Sequence, residues 1–381
     1  MSEKLHILLL EPFYGGSHRA WVDGLRTHSR HEIFPLVLGA HHWKWRMHGG
    51  AVTLARRMQE TGFNPDLILS TDMLDLSLFA ALTREQTAHI PLVLYMHENQ
   101  LTYPWSPGDP DVKAKRDMHY AFINFSSVLA ADRVLFNSPY HKQSFLDELP
   151  AFLKSFPDHQ ELIAIPDVVG KCRVLELGLD LKRFDDHRCG KADIPTVLWN
   201  HRWEYDKNPE SFFRVLFALA DEGMDFRLMV MGETFPDSPA IFEEARLRLE
   251  DRIDHWGYAE HFSTYATALW KSHVAPVTSV QDFFGISAVE AMYCGCLPLV
   301  PNRLAFPGHL PADYRDRCLY EDDRELKEKL GGVLRSLPSP EFMVPLQTHV
   351  GRYDWTRMVA EYDDVLEEVH ADVSSKKGVH H

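Results

Sequence analysis

Twice along this chain, apolar runs of strand length alternate with segments of helical periodicity, and that alternation confines the fold more than any single motif. In the first half, runs at residues 5–10, 33–38, 67–70, 92–96, 133–137 and 172–177 are separated by helical patterns near 17–27, 51–61, 75–82, 115–130 and 139–149. A proline-marked polar segment (157–171) and a shift in composition at 183–195 follow. The series then resumes, with strands at 196–200, 226–231, 253–256, 273–280 and 296–300 and helices near 209–221, 240–249 and 258–270. Apolar strands joined through helices pair in parallel, because each crossover helix must lie on a face of the sheet. The pattern specifies an α/β protein with two Rossmann-like domains facing across a cleft. The expected division is 1–185, 186–355, a closing helix at 356–371 that packs back on the N-terminal domain, and a disordered tail at 372–381.

Composition narrows the class. With 381 residues, 45% hydrophobic and 12% aromatic, each half can bury its own core. No apolar run reaches the roughly 18 residues of a membrane-spanning helix, and the apolar start is too short for a signal peptide. Five scattered cysteines, an odd number, suit a reducing cytoplasm without a disulfide framework. Cys294-Gly295-Cys296 has no second Cys/His pair to complete a metal centre. The net charge of −15 disfavours, without excluding, a nucleic-acid partner, so any RNA contact must come from local basic patches.

Five segments carry candidate chemistry. Gln281-Asp282-Phe283-Phe284-Gly285-Ile286-Ser287-Ala288-Val289-Glu290 spaces two carboxylates around a glycine that can open a helix. A helix N-terminus offers N–H groups and partial positive charge to phosphate, and the flanking acids suit hydroxyls of a sugar and a ribose. Arg202 and Lys207, on one loop after the strand at 196–200, are suited to neutralise a diphosphate. His97-Glu98-Asn99-Gln100 follows the strand at 92–96, where open α/β sheets bind ligands, and Leu101 stands where an HExxH zinc motif would need histidine. Glu11-Pro12-Phe13-Tyr14-Gly15-Gly16-Ser17-His18 opens the first helix; Ser17 is equally a helix cap and a substrate contact. His41-His42-Trp43-Lys44-Trp45-Arg46 interleaves aromatic and basic residues, which suits either base stacking or simple surface packing.

Taken together, these segments, with Phe136-Asn137-Ser138 and Glu290-Ala291-Met292-Tyr293-Cys294-Gly295-Cys296, resemble the tRNA-queuosine α-mannosyltransferase family of retaining GT-B glycosyltransferases. The 282–290 element is similar to that superfamily's carboxylate–seven–carboxylate motif, with Asp282 in place of the usual glutamate. The resemblance implies transfer of mannose from GDP-mannose to the cyclopentene-diol of queuosine in tRNA-Asp. It implies that His97 faces the reacting sugar and Asp282 binds its hydroxyls. Glu290 would take the ribose, and Arg202, Lys207, Phe284, Gly285 and Gly16 the rest of the donor. Gly15, Ser17, His18, Trp43, Lys44, Trp45, Arg46, Glu98, Asn99 and Gln100 would meet the acceptor. No cofactor or metal is implied, no membrane, and a cytoplasmic monomer is expected. The open alternatives keep the fold and change either the acceptor, to a small molecule or lipid, or the donor. A nucleotide-sugar-binding protein without turnover and an epimerase are the remaining rivals.

Overall fold

The computed structural model describes residues 4–106, 109, 111, 118–234 and 238–377, and the basic residues at 113–116 lie outside them. The chain forms two compact units, Met1–Asp180 with Tyr353–His381, and Leu181–Arg352.

The first unit holds a six-stranded parallel sheet of β1 (His6–Tyr14), β2 (Glu32–Gly39), β3 (Leu67–Thr71), β4 (Leu92–Met96), β5 (Arg133–Phe136) and β6 (Cys172–Val174). Its order is β2-β1-β3-β4-β5-β6, so the winding reverses between β1 and β3. Helices Trp43–Thr61, Leu76–Thr87, Met118–Ala130 and Pro139–Lys154 cover the sheet, burying Leu54, Phe79, Phe125 and Phe145 against Leu8, Leu94 and Phe136. β1 runs past the apolar stretch as far as Tyr14, pairing Glu11 with Val37 and Tyr14 with Gly39 across a register irregularity, so a buried carboxylate sits at the carboxyl end of the strand.

The last helix, Trp355–Lys377, belongs to this unit and packs on Gly16–His28. Glycine makes that contact possible: a Cβ on Gly24 would lie 1.9 Å from the Trp355 ring, and one on Gly178 would lie 2.6 Å from it. Trp21 Nε1 donates to Tyr362 Oη at 3.0 Å, and Tyr362 Oη donates to Tyr95 Oη at 2.8 Å, a buried polar chain that fixes the helix in register. Arg30 with Asp364 and Glu367, and Arg173 with Glu368, bind its outer side. The helix continues to Lys377, beyond the residue 371 at which the sequence pattern ends it and through part of the expected tail; residues 378–381 lie outside those described.

The second unit repeats the design with β7 (Thr196–Asn200), β8 (Arg227–Met231), β9 (Ile253–Gly257), β10 (Val274–Pro276), β11 (Leu297–Pro301) and β12 (Leu319–Tyr320), all parallel. Here the order is β12-β11-β10-β7-β8-β9, and the reversal falls between β7 and β10. The apolar run at 273–280 is strand only over Val274–Pro276; Thr278, whose Oγ1 donates to Lys207 O at 2.8 Å, already belongs to a loop held against the β7 loop. No helix among the described residues is long and apolar enough to cross a membrane.

Candidate functional site

In doubly wound sheets, ligands bind outside the carboxyl ends of the strands where the winding reverses. Both units place their unusual polar residues there. In the second unit, the β7 loop brings Arg202 and Lys207, and the β10 loop brings Asp282 and then the helix Ile286–Tyr293. Val280 N–H donates to Asp206 O at 2.8 Å, tying the two loops together.

Lys207 is buried and already paired: Nζ lies 3.0 Å from Asp206 Oδ2, 3.1 Å from Asp282 Oδ1 and 3.0 Å from the Gln281 carbonyl. Burial opposes its ammonium charge, but Asp282 and Asp206 outweigh burial and hold its pKa above the ordinary lysine value. The second oxygen of Asp282 is buried without a hydrogen-bond partner, an acceptor available for a hydroxyl. Arg202 is half exposed, 3.0 Å from Glu204. Gly285 caps the helix at φ 89, a left-handed conformation that favours glycine, and a Cβ there would also lie 2.6 Å from the Phe306 ring. The Phe284 carbonyl is fixed by His309 Nε2. Glu290 lies one turn into the helix, accepting from Tyr265 Oη at 2.6 Å, while Asn200 Nδ2 donates to Tyr265 Oη at 3.1 Å and to Ser287 O at 2.9 Å. Burial pushes the Glu290 carboxyl up to about 7, against the lowering effect of the Tyr265 hydrogen bond and Arg183.

In the first unit, the β1, β3 and β4 loops gather Glu11, His18, Asp72 and His97. Glu11 is fully buried; its Oε1 accepts from Phe13 N–H at 2.7 Å and its Oε2 from His18 Nδ1–H at 2.9 Å. Burial opposes a charge on His18, but Glu11, then Asp72 and Glu98, hold its pKa up at about 9. The His97 ring lies 4.4 Å from that of His18, and burial with the His18 charge keeps it neutral, well below the usual histidine range. Its Nε2 is buried without a partner. Asp72 Oδ1 accepts from the His97 N–H at 2.6 Å, and burial together with Glu98 raises its carboxyl pKa. Asn137 Nδ2 donates to His97 O at 2.8 Å and its Oδ1 lies 2.9 Å from His141 Nδ1, a buried support for the β4 loop. Among the described residues, Glu11, His18 and His97 form a group whose candidate ligand atoms lie within 4.8 Å of one another. Within this group, His18 Nδ1 faces Glu11 Oε2 at 2.9 Å and the other Glu11 oxygen is taken by the Phe13 N–H.

The remaining candidates divide by environment. Gly15 is extended, packed so that a Cβ would lie 2.4 Å from Ala40 Cβ, and Gly16 takes φ 50. Gly15 is the helix N-cap, which overturns the capping role considered for Ser17: Ser17 is the exposed second residue of the helix. Asn99 Oδ1 accepts from Leu101 N–H, Thr102 N–H and Thr102 Oγ1, closing the turn after β4, while Gln100 Nε2 donates to Glu98 Oε1 at 2.8 Å. The stretch at 43–46 is helix from Trp43 onward, not loop. Trp43 packs on Trp105 and Tyr120, and Lys44 is held by Asp109 at 2.6 Å and Asp111 at 2.5 Å. Arg46 donates to Gly39 O, and Trp45 stands 64% exposed. Asp72, Asp206, Tyr265, Asn137 and His141 carried no role in the sequence. Asp72 had a visible signal, an acid directly after a strand; Tyr265 had none, since only folding carries its helix to Glu290.

The N-terminal stretch, residues 6–179, matches the family model described as tRNA-queuosine alpha-mannosyltransferase N-terminal. The tRNA-queuosine alpha-mannosyltransferase of Drosophila melanogaster is 34% identical over 346 residues, covering 87% of this chain and 88% of that protein. A GDP-mannose-dependent alpha-(1-6)-phosphatidylinositol dimannoside mannosyltransferase of Mycobacterium tuberculosis (strain ATCC 25177 / H37Ra) is 24% identical, with 81% and 82% covered. Among solved structures, sucrose-phosphate synthase from Thermosynechococcus elongatus superposes with a TM-score of 0.68 at 16% identity, covering 97% of this chain and all of that one. Anabaena HepE in complex with UDP gives 0.64 at 14%, with 96% and 100% covered. At those identities the structural likeness speaks to fold alone.

Proposed function

The chain belongs to the tRNA-queuosine alpha-mannosyltransferase family and is a glycosyltransferase of GT-B fold, and from that premise we propose that it moves mannose from GDP-mannose to the cyclopentene-diol of queuosine in tRNA-Asp, with retained configuration. The observation that carries the donor half is the Lys207–Asp282 ion pair where the second sheet reverses its winding, with Glu290 on the helix that follows the same loop. Lys207 and Arg202 stabilise the diphosphate as its negative charge grows on departure. The N–H groups at the start of Ile286–Tyr293 add partial positive charge to the same anion. Asp282, through its unpartnered oxygen, takes a mannose hydroxyl, and Glu290 takes the ribose. His97, held neutral, hydrogen-bonds the reacting sugar without competing for its charge. Cations on the protein thus fill the place a metal takes in other transferases. The departing phosphate oxygen accepts the proton of the incoming hydroxyl on the face it leaves, which preserves configuration.

GDP-mannose is favoured because the mycobacterial relative's name specifies it, at 24% identity over most of the chain. The test is incubation with labelled GDP-mannose and tRNA that either carries or lacks queuosine. Label in queuosine-containing tRNA alone supports the assignment. Equal label in both, or preferential thermal stabilisation by UDP over GDP, refutes it.

A further inference from the structure

Glu11 and His18 remain once the donor site is assigned: a fully buried carboxylate and an imidazole whose side chain is 12% exposed, joined at 2.9 Å. Both carboxylate oxygens of Glu11 are occupied, one by the Phe13 N–H and one by His18 Nδ1–H, so the imidazole is fixed in one orientation. Its other nitrogen, Nε2, belongs to a residue in the first turn of Gly16–His28, beside the exposed Gly16 and Ser17. A doubly protonated imidazole has no lone pair at Nε2, so it donates and does not act as a base. The positive end of the helix supports an anion at the same place.

We propose that Glu11 is a positioning residue and that His18, fixed by it as an imidazolium, donates from Nε2 to an anionic phosphate oxygen of a substrate. This rests on the transfer reaction proposed above and adds to it a phosphate contact in the first unit, from either the donor's diphosphate or the RNA backbone. The groups facing His18 explain its charge. Glu11 on β1, Asp72 after β3 and Glu98 after β4 stabilise the cation, while His97 alongside stays neutral. A neutral residue at position 11 would leave only the smaller effects of Asp72 and Glu98 against burial, the largest influence, and the imidazole's pKa would fall.

Two measurements decide. The first needs no substrate: the His18 ring resonances of the full chain, identified by their loss in His18→Gln, are followed with pH by NMR. The wild-type protein should titrate near 9, and Glu11→Gln should fall to or below the ordinary ~6.5 of histidine. A wild-type midpoint below 7 overturns the proposal, whatever the protein's substrate proves to be.

The second measures binding of GDP and of tRNA lacking queuosine, separately, at pH 7.5. His18→Gln and Glu11→Gln should each weaken one of these about 10-fold or more, with the thermal transition retained. Loss for GDP identifies the donor phosphate. Loss for tRNA, with the salt dependence reduced by about one phosphate, identifies the RNA backbone. His18→Lys, a fixed cation, should restore affinity and remove its decline towards pH 9. Unchanged affinity for both ligands overturns the proposal. In wild-type protein alone, an affinity for both ligands that does not fall between pH 8 and 10 overturns it too.

Discussion

Replacing Lys207 with alanine tests the donor site and also shows how such a test can mislead. The lysine's ammonium is shared by Asp206, 1% exposed, and Asp282, 19% exposed, at 3.0 and 3.1 Å. Removing one partner of a buried ion pair costs about 3–5 kcal/mol, because the remaining charge is left unsolvated. At roughly 2–4 °C per kcal/mol for a unit of this size, the thermal transition of the second unit should fall by roughly 6–20 °C. Loss of the cation facing a developing phosphate charge should also lower turnover by about 10²–10³. The two effects separate in the double variant Lys207→Ala/Asp206→Asn, which removes the more deeply buried of the two stranded charges at nearly constant shape and leaves only the more exposed Asp282. Differential scanning fluorimetry should show most of the stability restored, and labelled-sugar transfer should show turnover still lost. Recovery of turnover in the double variant would mean that lysine serves folding and not the diphosphate. A single variant as stable as wild type would mean that the carboxylates are not held as described. The pH dependence has a definite sign. Lys207's pKa is raised in the folded protein, so the pair's stabilisation is complete at neutral pH and is lost only as pH climbs through the folded value, above the ordinary ~10.4.

Other perturbations follow from the same geometry. Glu290 is raised to about 7 by burial, so its carboxylate, the form that accepts ribose hydroxyls, grows across pH 6–8, and GDP affinity by calorimetry should rise over that range. Because the Tyr265 hydrogen bond lowers Glu290, Tyr265→Phe should move that rise to higher pH; an unmoved midpoint would separate Glu290 from nucleotide binding. Gly285→Ala should cost at least about 1 kcal/mol for left-handed backbone alone, with the 2.6 Å approach to Phe306 adding to it, read by urea unfolding. Tyr362→Phe leaves the Trp21 N–H and Tyr95 hydroxyl short of a partner and should cost about 1–3 kcal/mol in the first unit. Trp45→Ala should change stability by no more than about 0.5 kcal/mol, as an exposed residue does, yet weaken tRNA binding in a filter assay. Lys44→Ala should do the reverse and destabilise, since it strands Asp109 and Asp111.

Much of this architecture was legible because it follows from period and position. Parallel strands buried on both faces leave continuous apolar runs, and the residues just past them, such as Arg202, Lys207 and His97, inherit the ligand-binding end of the sheet. What escaped was of two kinds. Local competition hid boundaries: Trp43-Lys44-Trp45-Arg46 has a loop's mixture of residues, yet burial of Met47, Ala51 and Leu54 on one face extends the helix back to Trp43. Thr278 similarly leaves the strand because its hydroxyl bonds to the Lys207 carbonyl in the β7 loop. Long-range partners hid the rest. Tyr265 meets Glu290 across 25 residues, and Tyr362 meets Tyr95 across 267, with no pattern in the intervening chain to announce either.

The acidic balance, which argued against a polyanionic partner, has a local counterpart at four of the candidate cations. Lys207 is held by Asp206 and Asp282, Arg202 by Glu204, His18 by Glu11, and Lys44 by Asp109 and Asp111. A phosphate that approaches any of these meets a charge already compensated, so it binds only by sharing or displacing a carboxylate. At Lys207 the exchange has a further consequence. A diphosphate that draws the ammonium away from Asp282 frees that carboxylate's first oxygen, beside a second that has no partner to begin with. Donor binding would then create the sugar-hydroxyl acceptor it requires, and Asp282→Asn, which keeps size but weakens both contacts, should lower affinity for GDP-mannose more than for GDP. Equal losses for the two ligands would show that Asp282 serves only to hold Lys207.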